Sequence, residues 1–337
     1  MIGPISSRAS EPSVTEPMEP AYERVKLILF KPFDLNKWII VGFCAWLAGL
    51  GESGGGMSGF NGSSPSSGRQ ARAPADQIRQ FYHQASDYFL ANLYWIIPLS
   101  ILVVLGLLAL WLLVIWLSSR GKFMFLHSVA GDKSEVVAPW HKFAGPANSL
   151  FWFRVISGFV GMVFLLPLLG FLAIAILGMV LRGEPDIGRV LLAAGMATAL
   201  FFVALVFGVI RKFTTDFVVP IQFLRNGKCL AAWGEFWKLL AANPGKFTVY
   251  ILFQVVLSVA IGILIVTAIL VTCCIAGCLL ALPFLGTVLL LPVLIFQRAY
   301  PLYYLAQYGP QYDVFPPAPV PTGLPSSPEI PPLAPIV

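Results

Sequence analysis

Long uncharged apolar runs dominate the pattern of hydrophobic and polar positions along this chain. The longest run, residues 247–297, contains 51 consecutive residues without Asp, Glu, Lys, Arg or His. One helix over that run would be about 76 Å long, more than twice the roughly 30 Å hydrocarbon core of a bilayer. The run must therefore cross a membrane, turn and cross back. This pattern predicts a polytopic membrane protein.

Reading all apolar stretches against the charged residues predicts an all-α fold, a polytopic transmembrane helical bundle of about six spans. The first span is the shortest, because its 13 residues reach only about 20 Å. It must borrow neighbouring residues, thin the bilayer locally or dip in as a half-span. The predicted spans are residues 38–50, 93–117, 155–181, 190–210, 247–272 and 279–297.

Segments of unusual composition set the predicted domain boundaries. Residues 1–19 are predicted to be a disordered N-terminus, and residues 20–307 an integral membrane domain. Inside that domain, residues 51–68 are dominated by Gly and Ser and are predicted to form a flexible external loop. Residues 308–337 are rich in proline, which predicts a disordered tail able to present a motif to a protein partner.

Composition and charge support the membrane assignment and give an orientation. Hydrophobic residues make up 58% of the chain and charged residues 11%, which excludes an ordinary soluble domain. In the six-span arrangement, 17 of the 22 Lys and Arg residues fall on the side that holds both termini. The positive-inside tendency therefore predicts cytoplasmic termini and a multi-pass protein of the cell (inner) membrane. The net charge of +6 is an orientation signal, and we expect no nucleic-acid partner.

Three cytoplasmic segments repeat one order of features: an amphipathic helix, a helix breaker with Asn, an entering span and a returning span. In the clearest copy, Trp233, Phe236 and Trp237 share one sector of a helix, and Asn243 follows as the breaker. We predict three tandem helix-hairpin units whose amphipathic helices contact lipid; the alternative is the aromatic and basic residues of ordinary cytoplasmic loops. The predicted lipid-facing residues are Lys31, Trp38, Trp140, Lys142, Lys228, Trp233, Trp237 and Lys238.

Two stretches carry a resemblance to a known family. They are LILFKPFDLNKWIIVGFCAWLAGLG, which ends at Gly51, and DFVVPIQFLRNGKCLAAWGEFWKLLAANPGKFTVY, which begins at Asp216. Residues 20–305 resemble uncharacterised prokaryotic membrane proteins related to the membrane domain of glycerophosphodiester phosphodiesterases. In that family, a separate soluble domain with metal-binding carboxylates carries the catalysis. This chain has a Pro-rich tail instead, so the resemblance implies the architecture and no enzymatic activity.

Few residues suggest chemistry inside the spans. Arg154 and Arg298 fall at cytoplasmic span edges, where we expect their side chains to reach the headgroups. Asp216 precedes an apolar run and is expected to cap a helix. His127 and Asp132 could form a base and its orienting carboxylate, but no nucleophile or third ligand accompanies them, so a solvated loop pair is favoured. We therefore expect no catalytic residue, cofactor or metal.

A cysteine cluster and two Pro-Gly pairs remain. Cys273, Cys274 and Cys278 at the predicted external hairpin lack the four ligands of a thiolate metal site, and a disulfide there stays open. Two apolar segments share a Pro-x-x-Gly pattern of the kind that unwinds helices around a substrate in transporters. Their unequal depths favour packing kinks. The kink candidates are Pro167, Gly170, Pro283 and Gly286.

These observations predict a non-catalytic integral membrane protein that organises membrane lipids or partner proteins. The alternative is a transporter or flippase of small apolar or lipid substrates, suggested by the Pro-Gly pairs. A membrane-embedded enzyme that uses His127 and Asp132 is the third and weakest hypothesis.

Overall fold

The computed structural model describes residues 12–31, 33–50, 93–131, 136–182, 187–272, 277, 279–280 and 282–315. Within these residues the chain is 90% helical and contains no strand, which confirms the predicted all-α class. The predicted loop at 51–68 and the three cysteines of the external hairpin lie outside them. The helices are α1 (Met18–Phe30), α2 (Leu35–Gly49), α3 (Leu93–Gly131), α4 (Val137–Lys142), α5 (Ala144–Arg182), α6 (Ile187–Phe213), α7 (Val219–Arg225), α8 (Cys229–Ala242), α9 (Pro244–Val271), α10 (Pro283–Leu289) and α11 (Leu291–Ala306).

Four segments are long and apolar enough to cross a membrane, by length and composition. They are Tyr94–Gly131, Ala144–Met179, Ile187–Arg225 and Pro244–Val271. In the middle of each, large apolar side chains are exposed, as expected where the neighbour is lipid rather than protein. With 39 residues, α3 is about 58 Å long, so it extends far beyond a 30 Å hydrocarbon core.

The predicted count of six spans is not confirmed, because the first and last apolar segments form short helices. The first is α2, whose 15 residues reach about 22 Å. The last is divided at Leu290 into α10, with seven residues, and α11, with 16. The two short regions pack together: the Trp46 and Phe284 rings meet edge to face, with centroids 6.4 Å apart. Neither α2 nor α10 has the length of a straight span.

The buried core lies at the end of the long helices that adjoins α1, α4 and α8. Residues 123–126 of α3 and 217–221 of the segment after α6 are at most 7% exposed, and so are residues 298–302 of α11. Aromatic rings fill the centre: Phe217 stacks on Phe236 at 5.1 Å and meets Phe247 edge to face at 5.3 Å. The returning helices of the three predicted units thus continue out of their apolar spans and pack against one another.

Packing extends beyond the predicted boundaries of the membrane domain. The backbone N–H of Ser13 donates to Oε1 of Gln307 at 2.7 Å, and Nε2 of Gln307 donates back to the Ser13 carbonyl at 3.1 Å. Farther along, the ring of Phe315 stacks on Tyr303 with centroids 4.2 Å apart, and Tyr312 and Val314 are buried. Residues 13–19 and 308–315 therefore belong to the packed end of the molecule.

Candidate functional site

Helix α8 carries two apolar faces. Cys229, Ala232 and Phe236 are buried in the core, and burial raises the pKa of the Cys229 thiol to about 12. On the opposite edge of the apolar sector, Leu230 is 74% and Trp237 62% exposed. The predicted single apolar sector is therefore divided: one edge packs against protein, and the other is free to contact a bilayer.

Basic residues border the exposed edge of α8. Lys228 and Lys238 are both exposed. Trp233 is half-buried instead, because its ring packs against Phe153 with centroids 5.9 Å apart. Of the four lipid-facing candidates on this helix, the structure thus places Lys228, Trp237 and Lys238 at the surface and turns Trp233 partly into the core.

The other interfacial candidates lie at the junctions of their units. Trp38 is half-buried and ties α2 to α1, since its indole N–H donates to the Leu29 carbonyl at 3.0 Å. Beside it, Lys31 is exposed, together with the large apolar residues Phe30, Phe33 and Leu35, which are 53 to 63% exposed. In the second unit Lys142 is exposed, with its ammonium 5.3 Å from the ring centroid of Phe143.

A π-helical turn, Thr214–Val218, follows α6 and places a carboxylate in the core. Asp216 is 3% exposed and accepts hydrogen bonds from the hydroxyl of Tyr250 at 2.7 Å and from Nζ of Lys212 at 2.9 Å. Nε2 of Gln254 in turn donates to the Tyr250 hydroxyl at 3.1 Å. Asp216 therefore joins α6 to α9, and the expectation that it caps a helix is wrong.

The same π-helical turn binds cations from two other returning helices. Nζ of Lys122 on α3 donates to Oγ1 of Thr215 at 2.8 Å, and Nη1 of Arg298 on α11 donates to the Thr215 carbonyl at 2.6 Å. Both side chains are buried, with Lys122 4% and Arg298 6% exposed. A π-helical turn offsets the backbone hydrogen-bond pattern and is frequent at functional sites. Here it is the point where the three returning helices share polar contacts.

The two arginines expected to reach the headgroups turn into the protein. Arg298 contacts the π-helical turn, and Nη1 of Arg154 donates to the hydroxyls of Ser118 and Ser119 at 3.1 and 3.2 Å. The expectation is wrong because α3 and α11 continue beyond their apolar stretches, so a span edge is a protein interior at this end. The hydroxyl of Ser118 also donates to the Ala48 carbonyl at 2.9 Å.

Arg120 lies in the angle between two indoles. Its guanidinium carbon is 4.7 Å from the ring centroids of both Trp116 and Trp140, and these two rings meet edge to face. Nη1 donates to the Trp140 carbonyl at 3.2 Å, whereas Nε is buried without an acceptor among the described residues. Such a buried, unsatisfied donor costs on the order of 1 to 3 kcal/mol.

The Pro-Gly candidates play different structural roles in the two segments. Helix α5 continues through Pro167, and Gly170 has open space around it. Pro283 instead begins α10, and a Cβ on Gly286 would lie 2.5 Å from the carbonyl oxygen of Leu280. The first pair therefore lies inside one continuous helix, whereas the second lies at a helix start and a close backbone approach.

The residues considered for catalysis are not assembled into a reactive site in the described part of the chain. His127 lies between the rings of Phe143 and Phe223, with centroids 6.1 and 6.3 Å away. Asp132 lies outside the described residues. Among the residues that are described, no group of three or more His, Cys, Asp or Glu side chains could hold a metal ion.

Comparison with known proteins gives one family. The chain matches the model of a family of unknown function (DUF7544) over residues 13–304. The chain belongs to that family. The match gives no link to glycerophosphodiester phosphodiesterases, and it covers both stretches that carry the resemblance to them. Neither the curated proteins nor the solved structures give a match.

Family membership places the π-helical turn, α8 and the Arg120 cluster inside the matched region. Sequence reasoning finds α8 from its Trp and Lys pattern but misses Arg120 and Lys122, although the run Arg120-Gly121-Lys122-Phe123 after the second span resembles Arg211-Lys212-Phe213 after the fourth. That similarity is the available signal. It marks the point where a returning helix leaves lipid and enters the core.

Proposed function

We propose that this protein is a non-catalytic integral membrane protein whose interfacial helices organise lipids, or partner proteins, at one leaflet. The observation that carries the proposal is the divided apolar sector of α8. Because Phe236 is buried while Leu230 and Trp237 are exposed beside Lys228 and Lys238, this helix has a face for protein and a face for lipid. The exposed Phe30, Phe33 and Leu35 give the first unit a similar surface.

The resemblance to the membrane domain of glycerophosphodiester phosphodiesterases fits this proposal through architecture alone. It adds no catalytic role. The transporter alternative depends on equivalent helix breaks at the two Pro-Gly pairs, and the continuous path of α5 through Pro167 does not favour it.

The lipid part of the proposal predicts the effect of removing the charged and aromatic groups of α8. A variant with Lys228→Gln, Lys238→Gln and Trp237→Ala should lose about tenfold of its preference for anionic over zwitterionic lipid. Each basic side chain near an anionic surface contributes about 1 kcal/mol, which accounts for that loss. The measurement is the phospholipid composition retained by the purified protein from bilayers with equal amounts of phosphatidylglycerol and phosphatidylcholine.

The matched control for this variant is Trp95→Ala. Trp95 is 74% exposed near the start of α3, about 30 Å along the helix from the packed end, and we expect this change to leave the lipid preference unaltered. A wild-type protein without any preference for anionic lipid would remove the lipid part of the proposal. An unaltered preference in the triple variant would also remove it.

We further propose six membrane crossings or half-crossings, with both termini in the cytoplasm of a bacterial or archaeal cell. The exposed positions Tyr94 and Ala138 should then lie on opposite sides. In a cysteine-free chain, Tyr94→Cys is expected to react with a membrane-impermeant maleimide on intact cells, and Ala138→Cys only after permeabilisation. Reaction of both from the same side would contradict the topology.

A further inference from the structure

Arg120 presents an incomplete hydrogen-bonding edge at a lipid boundary. In a guanidinium group, Nε–H and one N–H of Nη2 point the same way and form a fork that matches two oxygens of a phosphate or carboxylate. In Arg120 the other terminal nitrogen, Nη1, is occupied by the Trp140 carbonyl. The Nε–H of the fork has no acceptor among the described residues. The arrangement therefore has an oriented donor pair and lacks an anion.

The two indoles hold this fork in place. The guanidinium carbon is equidistant, at 4.7 Å, from Trp116 and Trp140, which come from different helices, α3 and α4. A third helix joins through Asn148 of α5, whose Oδ1 accepts from the indole N–H of Trp116 at 3.2 Å. This contact uses the oxygen of Asn148, so its amide N–H groups point elsewhere, and the side chain is exposed. Trp116, Arg120, Trp140 and Asn148 are called the Arg120 site below.

The Arg120 site lies where α3 passes from lipid to protein. Leu113 is 55% exposed, as expected in hydrocarbon, whereas Ile115 is 7% and Phe123 0% exposed. Tryptophan is enriched at the level of the phospholipid headgroups. The exposed Trp152 of α5, at 61%, lies one turn beyond Asn148 on the same helix. The acceptor available at this level of a membrane is the phosphate group of a lipid.

We propose that the Arg120 site binds the phosphate group of a membrane phospholipid. Arg120 accepts the phosphate on its Nε–Nη2 edge, the indoles fix the plane of that edge, and Asn148 supplies amide donors beside it. The exposed Lys142, two residues after Trp140, adds positive charge to the rim. This inference rests on the proposed lipid-organising function and names a site separate from the α8 face. It explains why a cation at this depth is held by aromatic rings rather than by a carboxylate.

The test uses the full-length protein in detergent and native mass spectrometry to follow binding of three probes: phosphatidylglycerol, phosphatidylcholine and diacylglycerol. Both phospholipids should bind, and diacylglycerol, which lacks the phosphate, should bind at least about tenfold more weakly. Equal binding of diacylglycerol would overturn the proposal on the wild-type protein alone. Displacement of phosphatidylglycerol by millimolar inorganic phosphate would also overturn it, because the ligand would then be free phosphate.

Variants assign the binding to the Arg120 site. Arg120→Gln is expected to weaken phospholipid binding about tenfold, and Arg120→Lys to recover only part of it, because an ammonium group has no fork. The matched control is Arg211→Gln, which removes the exposed arginine from the corresponding position after the fourth span and should bind phospholipid like the wild type. Equal losses in Arg120→Gln and Arg211→Gln would contradict the assignment.

A milder variant separates binding from folding. Asn148→Ala removes an exposed amide, so the fold should persist, and phospholipid binding should fall about threefold with an unchanged melting temperature. Unchanged binding in both Asn148→Ala and Arg120→Gln would overturn the site. Loss of binding in Arg120→Gln with a wild-type preference for anionic lipid would support this site independently of the α8 face. The reverse result would overturn the site and leave the proposed function in place.

Discussion

Gly121→Ala is expected to separate α2 from α3 and to destabilise the protein by about 3 kcal/mol. A Cβ at this position would lie 2.6 Å from the backbone nitrogen of Ala48 and 2.6 Å from the carbonyl carbon of Leu47. Real Cβ atoms do not approach backbone atoms that closely, so one helix must move. One turn earlier, Ser118 donates to the Ala48 carbonyl, and this hydrogen bond would be stretched as well.

The buried thiol of Cys44 provides a direct measurement of that separation. Cys44 is 0% exposed on α2, so a thiol-reactive dye reports when the helix leaves the core. In a background whose other cysteines are replaced by serine, Gly121→Ala should lower the midpoint of thermal labelling by about 6 °C. The matched control is Gly106→Ala on the same helix, where a Cβ meets open space, and this midpoint should stay the same or rise slightly. Equal midpoints for the two variants would contradict the close approach.

The long spans could be predicted from the sequence because their lipid-facing surface is apolar all round. Residues 93–117 and 247–272 read as spans and lie within α3 and α9. The ends of the helices could not be predicted in the same way. Phe123 and Leu126 follow charged residues, and the sequence alone does not show whether such residues face water or another helix. Their burial depends on contacts between segments that are far apart in the chain.

The interfacial helices show the same limit at a finer scale. A helical wheel places Phe236 and Trp237 in one apolar sector of α8, but only Phe236 is buried. The wheel records which residues are apolar and cannot separate a protein neighbour from a lipid neighbour, because both favour the same side chains. Likewise, the short length of residues 38–50 predicts an unusual first segment, whereas the close contact between Gly121 and α2 has no signature beyond the glycine itself.

The polar centre was hidden from sequence reasoning for a related reason. Asp216, Tyr250 and Gln254 are separated by up to 38 positions, and the single carboxylate before an apolar run has the pattern of a helix cap. The π-helical turn changes the direction of the side chain, so that Asp216 points at α9 instead. An inserted backbone residue of this kind leaves no periodic signal.

Removing the contact between Asp216 and Tyr250 is expected to destabilise the protein through a coupled pair. Asp216→Asn and Tyr250→Phe keep the shapes of the two side chains and should cost about 2 kcal/mol each, because a buried hydrogen bond to a charged group contributes about 1.5 to 3 kcal/mol. Asp216→Ala should cost more, since it leaves the fully buried Tyr250 hydroxyl without its acceptor. Lys212 contributes little to this loss because its side chain is 42% exposed and can be solvated.

A double-mutant cycle isolates the contact. The combined Asp216→Asn and Tyr250→Phe variant should be only slightly less stable than either single variant, with a coupling free energy of about 1 to 2 kcal/mol measured by denaturant unfolding in detergent. Tyr94→Phe is the matched control, because that hydroxyl lies on an 84% exposed side chain, and it should leave the unfolding free energy unchanged. Strictly additive effects would show that the two groups act separately. In that case the π-helical turn would join α6 to α9 through the packing of Phe217 alone.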